Sequence, residues 1–205
     1  MNFEFKENQK ITRIKESEDS KITINAIVPE NPSIIRRKNE LSKKIVAKIE
    51  GILGDNDSLF YARELDSALN IEDVIPGEQY EGIRVLLKEE SNVKQEEAYE
   101  EYVITISNWQ ECCEVWGAFL SEDDLSRFIG SELIDIYFTD VSLNTEHLKK
   151  IASYKDYLHL HNVQFVNFKT NRGTFQFTVY NCHNGYYGHD ITVTYNGEEL
   201  YKGNI

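Results

Sequence analysis

Residues 163–180 have the sequence VQFVNFKTNRGTFQFTVY, two apolar-rich runs separated by Thr170-Asn171-Arg172-Gly173. Val, Phe and Tyr favour strands, and a short polar segment ending in glycine between two such runs predicts a β-hairpin. We therefore expect strands at 163–169 and 174–180 with a tight turn between them. Strands joined by local turns pair antiparallel, so most of the sheet should be antiparallel.

Similar sequence patterns predict further strands and helices on both sides of this hairpin. Alternating or apolar runs predict further strands at 21–28, 80–87, 101–108, 133–139 and 189–195. Ser121, with Asp124 three residues later, resembles a capping box and predicts a short helix through Phe128. Residues 144–152 predict a second short helix. Asn196-Gly197 predicts a last turn, followed by a frayed terminus.

The N-terminal part suggests helices instead. Five apolar residues in the stretch 34–53 fall at helical spacing: Leu41, Ile45, Ile49, Ile52 and Leu53. Residues 58–69 predict a partner helix, capped by Ser58, so that the two would form a helical hairpin. The basic residues between Arg36 and Lys48 fit a solvated helix face, or a nucleic-acid-binding face as a weaker alternative.

The predicted fold class is therefore α+β. Residues 1–72 would hold an N-terminal strand and the helical hairpin. Residues 73–205 would form a mainly antiparallel β-sheet domain with one or two short helices. With 40% hydrophobic and 12% aromatic residues, the chain of 205 residues can form a packed core.

The sequence also indicates the cellular compartment of the protein. No apolar run approaches the roughly 20 residues that cross a bilayer, and the N-terminus lacks the features of a signal peptide. Three cysteines, two of them adjacent, make a poor disulfide framework. We expect a cytoplasmic protein of a bacterial cell, encoded by the bacterium or by a phage, with no membrane association.

The net charge of −13 is unevenly distributed. Residues 1–54 hold 11 basic and 8 acidic residues, whereas residues 55–205 hold 11 basic and 27 acidic residues. The simplest interpretation is a solubilising surface. A sharper one is an acidic face that binds a protein partner with a basic surface, such as a nucleic-acid-binding protein. Direct binding of nucleic acid by the acidic part is disfavoured, because phosphates would be repelled.

Four segments together resemble a known family. They are YEGIRVLL (80–87), SNWQECCEVWG (107–117), FIGSEL (128–133) and NCHNGYYGH (181–189). The set is similar to an uncharacterised bacterial and phage domain of unknown function, over about residues 78–196. The Cys-Cys-Glu and His-Asn-Gly-Tyr-Tyr-Gly-His motifs are its most specific parts. The resemblance carries no catalytic residue over to this chain, and residues 1–72 lie outside it. We expect no cofactor.

The motifs supply the candidate binding residues, which are His183, Asn184, Tyr186, Tyr187, His189, Cys113 and Glu114. The glycines of 183–189 allow a tight turn that displays histidine and tyrosine side chains as a recognition loop. The alternative is a strand-to-strand corner covered by tyrosines. A nucleophilic Cys113 would need His183 or His189 as a base, and a small buried cysteine is the simpler interpretation. No pair with zinc-ligand spacing is present, so we expect no metal.

Two functional hypotheses follow. The leading one is a non-enzymatic acidic interaction protein, for example a phage or mobile-element inhibitor of a host defence nuclease whose carboxylates imitate phosphates (anti-CRISPR-like). The alternative is a small-molecule or metal-binding domain, or an enzyme, centred on residues 183–189.

Overall fold

Most of the described chain forms β-strands. The computed structural model describes residues 9–17, 20–34, 44–53, 80–89, 99–106, 114–122, 124–152, 160–183 and 188–205. The strands are β1 (Gln9–Ser17), β2 (Ser20–Pro29), β3 (Lys44–Leu53), β4 (Tyr80–Glu89), β5 (Glu100–Ile106), β6 (Glu114–Leu120), β7 (Leu133–Thr139), β8 (Leu160–Thr170), β9 (Gly173–His183), β10 (Asp190–Tyr195) and β11 (Glu198–Asn204). Within these described residues, an α-helix, α1, spans Thr145–Ala152, and a 3-10 turn spans Ser126–Phe128.

The strands form two sheets. Sheet A has the order β1-β2-β8-β9-β6, with β7 also pairing with β8. Sheet B has the order β11-β10-β5-β4-β3. The described pairs are antiparallel except for β2 with β8, which is parallel.

The main core lies between the two sheets, because the strands alternate buried and outward side chains. Sheet A contributes fully buried aromatics, including Phe168, Phe175 and Phe177, and sheet B contributes residues such as Val85 and Ile104. A second cluster covers the other side of sheet A. There Leu148 of α1 packs with Phe119, Val163, Phe165 and Tyr180.

The predicted hairpin is confirmed. Residues of β8 and β9 pair antiparallel from Leu160 opposite His183 to Thr170 opposite Gly173. Gly173 has a φ of +129°, which glycine adopts without steric cost. Phe168 and Phe175, opposite each other, stack with ring centroids 4.7 Å apart and an interplanar angle of 2°.

The predicted α+β class is wrong, because the described chain is mostly β. Residues 44–53, expected in a helix, form β3 and pair with β4. The apolar residues of β3 that suggested a helix do not all lie on one face of the strand. Ile49 lies opposite Val85 and packs against the core, whereas Ile45 lies opposite Lys88 and Ile52 opposite Gly82, on the outward face. Apolar residues on both faces of a strand can fall at helical spacing, and this coincidence explains the error. The predicted helix at 58–69 lies outside the described residues.

Other elements were predicted with mixed success. The strands expected at 21–28, 80–87, 101–108, 133–139 and 189–195 and the helix expected at 144–152 are present with small changes of boundary. The helix expected from Ser121 is only the 3-10 turn, and the expected frayed terminus is strand β11. Strands β1 and β6 were not predicted.

No helix in the part of the chain that the structure describes is long and apolar enough to span a membrane.

Candidate functional site

The two sheets pack as a sandwich, and the strand ends that flank both sequence motifs lie at one end of it. In sheet A, Glu114 at the start of β6 lies opposite His183 at the end of β9, which lies opposite Leu160 at the start of β8. In sheet B, Ile106 at the end of β5 lies opposite Ile191 of β10. Contacts between the sheets, given below, show that these strand ends belong to the same end of the sandwich. We call it the motif end.

His183 is held in the layer between the sheets. Only 6% of it is exposed, and its Nε2 lies 3.1 Å from Nδ2 of Asn162. Asn25 donates from its Nδ2 to Oδ1 of Asn162 at 3.2 Å. Asn25, Asn162 and Asn181 lie opposite one another on β2, β8 and β9, so their side chains share one face of sheet A. The result is a row of amides beside an imidazole at the motif end.

His189 joins the two sheets. It is fully buried, and its ring centroid lies 4.7 Å from that of Trp116 on β6. Its backbone exchanges two hydrogen bonds with Ile205, of 2.9 and 3.0 Å. Asn181 of sheet A donates from Nδ2 to the carbonyl of Ile205 at 3.2 Å. His189 and the end of β11 are therefore fixed against sheet A.

The side chains between the two sheets are apolar near the hairpin turn and more polar at the motif end. Near the hairpin turn it is filled by phenylalanines, whereas at the motif end Gln164 and Asn181 are fully buried in it. Gln164 donates from Nε2 to the Tyr201 hydroxyl at 2.9 Å. Buried amides stabilise a fold only where they are hydrogen-bonded, so these contacts specify how the two sheets meet.

The structure brings together part of the predicted site. His183 and His189 both lie at the motif end, and Glu114 lies opposite His183. Both imidazoles are buried and not displayed on a loop surface. The other candidates, Cys113, Asn184, Tyr186 and Tyr187, lie outside the described residues.

The amides and Trp116 were not singled out from the sequence. Asn25, Asn162 and Asn181 occupy strand positions whose direction depends on register, and the sequence shows no register. Asparagine side chains are usually exposed, so each of these side chains would be expected to face the solvent. An unusual feature that could have indicated them is the placement of Asn162 and Gln164, four and two residues before Val166, on the apolar face of the predicted strand.

Two observations on the described residues bear on metal binding and on thiol reactivity. No three His, Cys, Asp or Glu side chains among them are grouped so as to hold a metal ion. Cys182 is fully buried on the face of sheet A that α1 covers. Burial raises the pKa of its thiol far above the ordinary value of 9.0, which disfavours the reactive thiolate.

Charge is concentrated in the segments that connect the strand ends at the motif end. Five such segments, 18–19, 54–79, 107–113, 153–159 and 184–187, begin or end there. Together they contain 11 acidic and two basic residues. Segment 35–43 precedes β3 at the opposite end and contains four basic residues and one acidic residue. All of these segments lie outside the described residues, but the strand ends show where each attaches.

The opposite end of the sandwich contains an ion-pair network around Lys44. Its Nζ lies 2.5 Å from Glu100 and 3.1 Å from Glu89, and the Tyr195 hydroxyl also donates to Glu100. Burial alone would lower the pKa of Lys44, but its bonds and attraction to Glu100 and Glu89 outweigh burial and raise it. Burial opposes ionisation of Glu100 too, yet hydrogen bonds from Lys44 and Tyr195 lower its pKa. Burial, followed by the charge of Glu100, raises the pKa of Tyr102 to about 12.

Comparison with known proteins identifies the family. The sequence profile of a family described as Domain of unknown function (DUF7448) matches residues 39–193, more than half of the chain. This range includes both motifs and begins upstream of the resemblance noted at 78–196. No curated protein and no solved structure matches the chain. The chain belongs to the DUF7448 family of domains of unknown function.

Proposed function

We propose that this chain is a non-enzymatic interaction protein whose motif end binds a macromolecule with a basic surface. The observation that carries the proposal is the charge of the five connecting segments, which hold 11 acidic and two basic residues. Each of these segments attaches to the sandwich at the motif end, and on this proposal their acidic residues create a field that speeds association with a basic partner and orients it.

The charge of the described part of the chain, which is nearly balanced, also supports this proposal. It contains 17 acidic and 14 basic residues, so most of the net charge of −13 lies elsewhere. Many of its charges are also paired with each other. Arg84 contacts Glu101 at 3.2 Å, and Lys202 contacts Asp190 at 3.0 Å. Unbalanced negative charge is therefore a property of the connecting segments and not of the sheets.

The partner class that fits this chemistry is a nucleic-acid-binding protein, whose basic surface already accommodates phosphates. Carboxylates at the motif end would occupy phosphate positions, and binding would exclude the nucleic acid. A defence nuclease of a bacterial host is such a partner, with this chain acting as its inhibitor in the cytoplasm on behalf of a phage or mobile element.

Two matched triple variants test the proposal. Glu64→Gln, Glu72→Gln and Glu78→Gln neutralise three charges in segment 54–79 at the motif end. Glu90→Gln, Glu96→Gln and Glu97→Gln make the same change in segment 90–98, which joins β4 to β5 at the opposite end. The immobilised chain is used to capture proteins from a bacterial lysate, and the affinity of the recovered partner is then measured at about 0.05 M and 0.5 M salt.

We expect the first variant to bind roughly tenfold more weakly, as three lost contacts of about 0.5 kcal/mol each imply, and the second to bind within about twofold of the wild type. Binding should weaken as salt rises. Recovery of no partner, affinity that does not depend on salt, or equal effects of the two variants would contradict the proposal.

A small-molecule site at the motif end is the second candidate. The observation in its favour is that His183, beside Asn162, and His189, beside Trp116, both lie at that end. Their burial counts against it, because a ligand would need to displace packed side chains. An increase in melting temperature with a metabolite or metal salt, lost in a His183→Asn variant, would favour this candidate over the first.

A further inference from the structure

The side chains between the two sheets change from apolar to polar along β8 and β9. Those that face sheet B form four rows from the hairpin turn to the motif end: Phe168 with Phe175, Val166 with Phe177, Gln164 with Val179, and Asn162 with Asn181. The first two rows belong to the apolar core, whereas an amide enters the third row and two amides make up the fourth. The two ends of the sandwich are therefore held together by different interactions.

Aromatic packing closes the hairpin end. The rings of Phe168 and Phe175 stack 4.7 Å apart, and the ring of Phe128 lies 5.0 Å from that of Phe175. Ile136 of β7, opposite Phe168, is fully buried in the same core. Separation of the sheets at this end would expose these apolar side chains to water, which offers them no compensating interaction.

Hydrogen bonds join the sheets at the motif end. Gln164 donates from Nε2 to the Tyr201 hydroxyl at 2.9 Å, and Asn181 donates from Nδ2 to the carbonyl of Ile205 at 3.2 Å. Water can replace such bonds, so each contributes little to net stability. Two further atoms, Oε1 of Gln164 and Nε1 of Trp116, are buried and have no hydrogen-bond partner among the described residues. Opening of this end would give both atoms water as a partner.

Sheet A can stay intact when the motif end opens. Its other face is covered there by the second cluster, in which Val163 and Tyr180, opposite each other, pack with Leu148 of α1. Two segments cross from one sheet to the other at the motif end, and these are the seven residues 107–113 and the six residues 184–189. An extended chain of six residues spans up to about 20 Å, so the length of neither segment prevents separation.

We propose that the sandwich is hinged, so that in the free chain the two sheets separate at the motif end while the hairpin end stays packed. The hinge lies between the row of Val166 and the row of Gln164, where the layer changes from apolar to polar. Opening gives a ligand access to His183 and Asn181, which are buried in the closed sandwich. Hinged opening of the free chain does not depend on the proposed partner at the motif end.

The reactivity of a buried thiol measures opening at each end. Ile191 lies between the sheets at the motif end and Ile136 lies between them at the hairpin end, and both are fully buried. Ile191→Cys and Ile136→Cys are made separately in a chain whose native thiols are removed by Cys112→Ser, Cys113→Ser and Cys182→Ala. The rate at which a small disulfide reagent labels each thiol is measured at several urea concentrations below the unfolding transition.

The thiol at position 191 should be labelled at least about tenfold faster than the thiol at position 136, because only the latter requires global unfolding. Urea should accelerate labelling steeply at position 136 and weakly at position 191, since local opening exposes less surface. Equal rates, faster labelling at position 136 or equal urea dependence would overturn the proposal.

If either variant fails to fold, the side-chain amide hydrogens of Gln164 and Asn181 in the wild type replace the thiols. Relative to their intrinsic rates, they should exchange with solvent faster than the backbone amide hydrogen of Phe168, which lies at the packed end. Equal protection of the three groups would contradict hinged opening.

Discussion

Replacement of Lys44 by Met should destabilise the fold by about 2 kcal/mol. The Lys44 side chain is 7% exposed, and it contacts Glu100, which is 31% exposed, at 2.5 Å. Breaking a fully buried ion pair costs about 3–5 kcal/mol, and breaking a surface pair costs under about 1 kcal/mol. The Lys44 pair lies between these limits, because Glu100 keeps its contact with Tyr195 and some access to water. Met can occupy the space of the lysine stem, which limits any cavity.

Urea unfolding at pH 7 measures the effect, and Lys48→Met is the control. With a slope of about 2 kcal/mol per M, the Lys44→Met midpoint should fall by about 1 M at an unchanged slope. Lys48 lies in the same strand, but its side chain is 61% exposed, so its replacement should cost under about 0.5 kcal/mol. Equal small effects at both positions would refute this account and would fit the solvated helix face that the sequence suggests for residues 34–53.

Three further results are expected. Phe175→Ala should cost about 3–5 kcal/mol in urea unfolding and Phe175→Leu about 1 kcal/mol, because the ring stacks on Phe168 in the core; a loss below 1 kcal/mol for Ala would contradict this packing. Because folding lowers the pKa of Glu100, its ionised form stabilises the fold fully at pH values above the ordinary pKa of 4.5. This stabilisation is lost as the pH falls through the lower pKa of the folded state. Glu100→Gln should therefore lose less stability than the wild type between about pH 5 and pH 3, and parallel pH profiles would disprove the linkage. Gly197→Ala should cost about 1 kcal/mol, measured as a lower melting temperature, because the residue has a φ of +81°; an unchanged melting temperature would exclude this turn geometry.

The sequence predicts those strands well whose side chains alternate regularly. β5 has buried Tyr102, Ile104 and Ile106 at every second position, and the β8–β9 hairpin is marked by its turn residues. β3 was mistaken for a helix because apolar residues lie on both of its faces, with Ile49 opposite Val85 in the core and Ile52 opposite Gly82 on the outward face. Local periodicity cannot distinguish such a strand from a helix, since only the pairing with β4 shows which face each residue occupies.

Prediction of the site has a similar limit. His183 and His189 are prominent in the sequence because glycine and tyrosine surround them. The motif end also contains Asn162, Asn181 and Trp116. Their side chains point into it because of the cross-strand register, which the sequence does not show. The position of the acidic segments at one end likewise depends on strand direction, which periodicity does not give.

Hydrogen exchange of the captured complex tests the central claim most directly, namely that the motif end is the binding surface. Amide exchange of the free chain is compared with that of the chain saturated with its recovered partner. We predict slower exchange in segments 54–79, 107–113 and 184–187 on binding, with segment 90–98 unchanged. Protection confined to segment 90–98 would contradict the account.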